Sequence, residues 1–253
     1  YKMSSIILGG NKVKILDLGN DGKHTLGTGP YEYYIYKSKS KDEILINELK
    51  SYTIFIMEKE DDCLILINEV NQTIDQLAAI QVEDQNTKIS INGGSATLLI
   101  AGTMKSSPGL KGIFFTSFKN LYKVEKPWGH ELWINGEHKC YAFKQIFIKS
   151  GTKTSLQYHN YKQETNVLFS GEAKLHFKKS SNINNDDVEI KDIDSFKLYP
   201  ISSIDVVPST LHRIEAVNDI LLYEISTPHL DDVVRVSDDA KRPSGRIPKE
   251  HSN

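Results

Sequence analysis

Four side chains with metal-ligand chemistry fall in one short stretch and one later strand. Between Gly151 and Gly171 the chain reads GTKTSLQYHNYKQETNVLFSG, which sets Gln157, His159 and Glu164 between two glycines and ahead of a run of β-formers. Residues two apart share one face of an extended strand, so Gln157 and His159 point the same way. The polar turn Asn160 to Gln163 leads into Glu164 on a second strand, and the three groups converge. His212 opens a later β-like run in VVPSTLHRIEA. Two imidazoles, a carboxylate and a carboxamide suit one divalent metal with positions left open for water or substrate. One strand histidine alone would be read as an ordinary satisfied residue. The constellation reads as a site.

The elements that must position these groups are strands. In the first half, SIILGG, NKVKILDLG, YEYYIYKS, SYTIFIMEKE and CLILINEV are apolar or alternating runs bounded by turn residues. Asp61-Asp62 reads as a hairpin turn, and Asn92-Gly93-Gly94 between KISI and SATLLIAGT is the strongest such signal. Only NQTIDQLAAI, with Ile74, Leu77 and Ala78, offers a brief helix. From Thr25 to Gly129 there is no histidine, so this half is expected to lack an imidazole metal site and to serve packing, dimerisation or lidding. A boundary is expected near residue 120, giving domains 1–120 and 121–253. In YAFKQIFIK, Lys144, Ile146 and Ile148 alternate against Phe143, Gln145 and Phe147. EAKLHFKK, SFKLYPI, SIDVVP, HRIEAV and ILLYEIS complete about eight strands, which suits an antiparallel double-layered barrel of jelly-roll type. The polar KSSNINNDDVEIKDID is expected as an exposed hairpin tip.

Composition bounds the rest. The 253 residues are 39% hydrophobic and 25% charged, as in a soluble globular protein. A net charge of −2 gives no electrostatic reason for nucleic acid or an anionic membrane as partner. Cys63 and Cys140 lie far apart and read as free thiols of a reducing cytoplasm. No apolar run reaches the roughly 18 residues of a membrane helix, and no signal peptide opens the chain; Tyr1-Lys2-Met3 reads as a truncated start.

The motif spacing resembles the cupin superfamily, whose first motif is G-x5-H-x-H-x(3,4)-E-x6-G. Gly151, His159, Glu164 and Gly171 are in register, with Gln157 where the first histidine is usual. In the second motif, P-x-G-x2-H-x3-N, His212 fits, Pro208 lies one place too near it, and Ser209 and Ala216 replace the glycine and asparagine. KPWGHELW, SLQYHNYKQET and STPHLDDVVRVSDD further resemble type II mannose-6-phosphate isomerase-like cupins over residues 122–246. Pro127-Trp128-Gly129, Lys144, Ser155-Leu156-Gln157, His159, Asp232, Arg235, Asp238, Gly245 and Arg246 fill that family's places. Tyr161 and Thr165 stand where histidines are usual, and an AKRPS insertion displaces the final Gly-Arg.

The resemblance implies an all-β bicupin, two double-layered antiparallel barrels, whose second half keeps one divalent metal (Mn, Zn, Ni or Fe) on Gln157, His159, Glu164 and His212. It implies a sugar or sugar-phosphate isomerase, with Lys144 and Glu164 catalytic and Arg235, Lys144 and Tyr161 facing the substrate. Aldose–ketose isomerisation moves a proton between adjacent carbons, so it needs an electrophile on the oxygens and a positioned base. Two histidines and a carboxylate also suit a non-haem iron oxygenase, and the altered motif suits a non-catalytic sugar-binding cupin. His176 and His229 are expected outside the metal's immediate ligands. Edge strands make a homodimer a natural assembly.

Overall fold

The computed structural model describes residues 5–8, 11–27, 29–70, 73–179 and 193–246, and within them the structure is almost wholly β, relieved by one 3-10 turn at Phe118–Asn120. The chain divides into two units of interleaved segments. Tyr1–Leu16, Lys123–Leu132 and Lys144–Asn253 form the C-terminal unit; Asp17–Tyr122 and Trp133–Phe143 form the N-terminal unit. Relative to a single cut at residue 120, two segments change sides. For the first, the reason is pairing: Asn11–Ile15 lies antiparallel to Ser202–Val206, with Ile15 opposite Ser202 and Val13 opposite Ile204. Val13 thereby enters the C-terminal core.

Two sheets make up the C-terminal unit. One has eight strands, in the order Ser5–Leu8, Asn11–Ile15, Ser202–Val206, Glu164–Ser170, Ile220–Ser226, Ala142–Ile148, Gly129–Trp133 and Tyr122–Lys126. The other has six, in the order Asp194–Leu198, Ala173–Lys179, Thr210–Ala216, Leu156–Tyr158, Val234–Ser237 and Gly245–Arg246. Ile146, Ile148, Leu168, Ile204 and Leu222 from the first sheet pack with Leu175, Phe177, Ile214 and Ala216 from the second. Strand alternation then fixes the polar groups. Lys144 shares a face with Ile146, Glu164 and Asn166 with Leu168, Glu224 with Leu222, and His212 with Ile214. Core packing and site construction use the same inward faces.

Gly129 holds the entry to this sheet. Its φ of +154° and the 2.0 Å that a Cβ would leave to the Phe147 carbonyl oxygen exclude any side chain. Gly171 ends the motif in the same manner, at φ +80° and 2.3 Å from the Asp219 carbonyl oxygen.

The N-terminal unit pairs a six-stranded sheet with a three-stranded one around Tyr52, Ile54, Ile56, Ile65, Ile67, Ile89, Ile91, Leu98 and Ile100. Its expected hairpins prove to be something else. Ser51–Lys59 pairs with Ala96–Thr103 in one sheet, while Leu64–Ile67 pairs with Thr87–Asn92 in the other. The turns at Asp61-Asp62 and Gly93-Gly94 therefore carry one long ladder from sheet to sheet, stitched where the Glu60 and Ser95 backbones meet at 3.0 Å. The brief helix expected in NQTIDQLAAI is absent from its described residues, 73–80. Leu77 sits at φ +62°, and its N–H is drawn 2.6 Å from the Ile56 carbonyl, so tertiary pairing overrides local periodicity. Neither unit closes into a barrel among the described residues; each is a two-layered sandwich with sheet edges. The hairpin tip expected in KSSNINNDDVEIKDID lies almost wholly outside the described residues.

Candidate metal centre

Glu164 opens the strand Glu164–Ser170 and is buried, as are His159 and His212. Among the described residues these three form a group whose ligand atoms lie within 4.8 Å of one another. Glu164 Oε2 is 3.5 Å from His159 Nε2, and Oε1 is 3.2 Å from His212 Nε2. His159 Nδ1 faces the Asp232 carbonyl at 2.5 Å, and His212 Nδ1 faces the Thr210 carbonyl at 2.9 Å. A carbonyl can only accept, so each Nδ1 must carry the proton. Burial keeps the His159 ring neutral, so its Nε2 turns a bare lone pair toward the Glu164 carboxylate and is buried without a hydrogen-bond partner, while His212 Nε2 is aimed at the other oxygen of the same carboxylate. Such a set fits a cation, and the backbone carbonyls are the outer supports that fix imidazole tautomers in metal sites.

Burial pushes the His159 imidazole below its ordinary value, which keeps the ring neutral and a ligand. Burial alone would raise the Glu164 carboxyl, but the Lys162 ammonium outweighs it and holds the group well below the usual carboxylate range. Lys162 is the group that spacing did not point to. Its buried Nζ lies 2.5 Å from Glu164 Oε2 and 3.0 Å from Glu224 Oε1. Burial would lower its value, yet the two carboxylates raise it, so it stays charged. The sequence did hold signals for this pair: Lys162 and Glu164 share a parity, and Glu224 interrupts an apolar strand on its inward face.

Asp232 sets the loop between the two ligands. Its carboxylate accepts the backbone N–H groups of Asn160, Tyr161 and Lys162, while its own carbonyl receives His159 Nδ1. Ser209, in the place of the motif glycine, keeps a glycine-like φ of +64° and donates its N–H to the His159 carbonyl at 2.7 Å.

Beside the cluster is a small cavity of about 70 Å³, lined in part by Trp128, Glu131, Lys144, Gln157, Lys162, Glu164, His212, Glu224 and Arg242. The predicted residues distribute around it unequally. Gln157 lines the cavity and accepts a hydrogen bond from Ser155 Oγ at 2.7 Å. Lys144 is buried and reaches Glu131 Oε2 at 3.2 Å. Tyr161 instead is 71% exposed, its ring tilted at 42° to that of His229 with centroids 6.1 Å apart, away from the lining. Arg235, expected to face the substrate, is 3% exposed; it donates to the Pro243 carbonyl at 3.0 Å and lies 3.6 Å from Asp238 Oδ2. The arginine in the lining is Arg242, from the AKRPS insertion. His176 pairs with Glu215 at 2.8 Å and His229 with Thr227 at 3.0 Å, neither in the metal group.

Residues 116–238 match the family model for the mannose-6-phosphate isomerase C-terminal domain. No curated protein sequence matches the chain. Solved structures with a similar fold include an IolB-like protein from Salmonella typhimurium (10% identity, TM-score 0.63, 86% of this chain and 93% of that one). An oxalate decarboxylase from Lactobacillus farciminis aligns over 92% of this chain and 86% of its own, at 11% identity and TM-score 0.61. AerE from Microcystis aeruginosa aligns over 89% and 96%, at 10% identity and TM-score 0.57. At these identities the likeness concerns fold alone. Over residues 116–238, just under half of the chain, the family match accords with the motif register, and this segment is similar to the cupin-type mannose-6-phosphate isomerase C-terminal domain.

Proposed function

We propose that the C-terminal unit is a metal-dependent sugar or sugar-phosphate isomerase. The reading rests above all on the two buried imidazoles, each with Nδ1 committed to a carbonyl and Nε2 turned on Glu164. His159, Glu164 and His212 would hold one divalent ion, with Gln157 as a weaker neutral donor at the cavity wall. A bound ion of this kind supplies Lewis-acid stabilisation of negative charge on substrate oxygens. The chain supplies the rest. Lys144 and Glu131, 3.2 Å apart in the cavity wall, are the couple assigned to move the proton between adjacent carbons. Trp128, Ile146, Ile214, Leu222 and Val233 form the apolar part of the wall and limit water there. The unit pair is read as a bicupin, a reading supported by fold alignments that span 92% of the chain. A cytoplasmic homodimer completes the proposal.

A second reading has its own observation. The Lys162 ammonium already offers Glu164 and Glu224 a shared counter-charge, which suits a metal-free, sugar-binding cupin. Elemental analysis decides between them. Wild type should retain a stoichiometric transition metal, Gln157→Ala most of it, and the combined His159→Ala, His212→Ala variant none. Full retention in the double variant would remove the site, and a metal-free wild type that still binds sugar would favour the second reading.

A further inference from the structure

The insertion that separates Asp238 from Gly245 places a guanidinium in the cavity wall. Val234 pairs with Arg246 and Arg235 with Gly245, so residues 236–244 form a hairpin loop at the sheet edge. Arg242 in that loop directs Nε and one terminal nitrogen onto Asp238 Oδ2, at 2.8 and 2.5 Å. The Asp238 side chain is itself 3% exposed, and Arg235 ties down the residue after Arg242 through the Pro243 carbonyl. The loop is thus built, from inside, to hold Arg242 in one place.

The other charged lining groups, Glu131, Lys144, Lys162, Glu164 and Glu224, are buried, whereas the Arg242 side chain is 22% exposed. It is the charged wall residue that a ligand entering from solvent meets first. Counted with their partners, the wall charges balance, with Lys126, Lys144, Lys162 and Arg242 against Glu131, Glu164, Glu224 and Asp238. A divalent ion on Glu164 would tip that balance by two positive charges, and a ligand that brings negative charge restores it. The water-accessible space of about 70 Å³ limits what enters to a small group.

We infer that Arg242 is the specificity-determining residue of the cavity, selecting ligands that present a compact oxyanion, a phosphate or a carboxylate, at its entrance. Arg235 and Asp238 act as positioning residues for it. The inference rests on the proposed metal site for its charge balance, and its test is separable from that site.

Calorimetric titration and thermal shift of the full chain with inorganic phosphate in one arm and glycolate in the other, before and after chelation, supply the test. Wild type should bind at least one probe. Arg242→Gln should weaken it about 30-fold or more, and Arg242→Lys, which keeps the charge and loses the fork, by less. Preference for phosphate or glycolate tells which oxyanion the loop favours. Melting without probe reports whether Arg242→Gln remains folded, and Arg242→Lys serves where it does not. Equal binding by wild type and both variants, or no binding of either probe by wild type, overturns the inference. Absence of metal with intact Arg242-dependent binding removes the metal reading and leaves this one standing.

Discussion

Lys162 offers the sharpest perturbation. Replacing it by methionine keeps most of the apolar stem and deletes the ammonium that lies 2.5 Å from Glu164 and 3.0 Å from Glu224. Both carboxylates are buried, with side chains 4% and 8% exposed, and without Lys162 they face each other across the cavity wall. Removing one partner of a buried ion pair typically costs about 3–5 kcal/mol, because the remaining charge is left without compensation. For a chain of this size, each kcal/mol moves the melting temperature by about 2–4 °C, so chelated Lys162→Met should melt roughly 6–20 °C below wild type. A divalent ion is the alternative counter-charge. At a hundredfold excess over Kd it returns about 2.7 kcal/mol, and in the variant it no longer competes with an ammonium for Glu164 Oε2. Melting curves in chelator and in Mn²⁺ or Zn²⁺, with metal titrations alongside, give the measurement. The variant should be less stable than wild type in chelator, gain more from metal, and bind it more tightly. A variant that melts with wild type in chelator, or gains no more than wild type from metal, refutes the view that Lys162 occupies the charge position of the ion.

Four further outcomes are expected. In the N-terminal unit, burial would raise Glu83, but hydrogen bonds from His138, Gln81 and Ser51 outweigh it and hold the carboxyl below its ordinary value. A depressed folded-state value contributes stability above the unfolded carboxyl range, about 4.3, and loses it as pH falls through the folded value. The melting advantage of wild type over Glu83→Gln should therefore shrink below about pH 4.3, and a difference constant from neutral pH to pH 3 would count against it. Asp232→Ala strands three loop N–H groups and should cost about 2–4 kcal/mol in urea unfolding, with about 10–100-fold weaker metal binding by titration. Ser209→Gly relieves a left-handed residue at φ +64° and should stabilise by about 0.5 kcal/mol after glycine's extra chain entropy, read from denaturant midpoints. A fragment of residues 121–253 lacks the strand Asn11–Ile15 and its core Val13, and should melt lower and aggregate more than the full chain by light scattering.

Much of the site was readable from residue order because its geometry is local. Two-residue parity sets Gln157 and His159 on one face, and a short turn delivers Glu164; His212, one strand away, follows from the motif register. The glycine-like backbone at Ser209 persists although the glycine does not, because the turn demands that conformation whatever residue fills it. The β-rich class was equally plain, since alternation and turn residues recur throughout, and the one helical-looking segment failed only because Leu77 finds the Ile56 backbone.

What required the tertiary structure was the partnering of charges and segments far apart in the chain. Asp238, three residues on, was a visible partner for Arg235, but nothing in the spacing says that the Pro243 carbonyl will also retain it, or that the insertion will bring Arg242 to the wall instead. The Lys162–Glu164–Glu224 triad needs the register in which Glu164 stands opposite Ser226. Asn11–Ile15 pairs with Ser202–Val206, far away in the chain, and so brings Val13 into the C-terminal core. Spacing along one strand fixes which way a side chain points; only the register between strands fixes what it meets there.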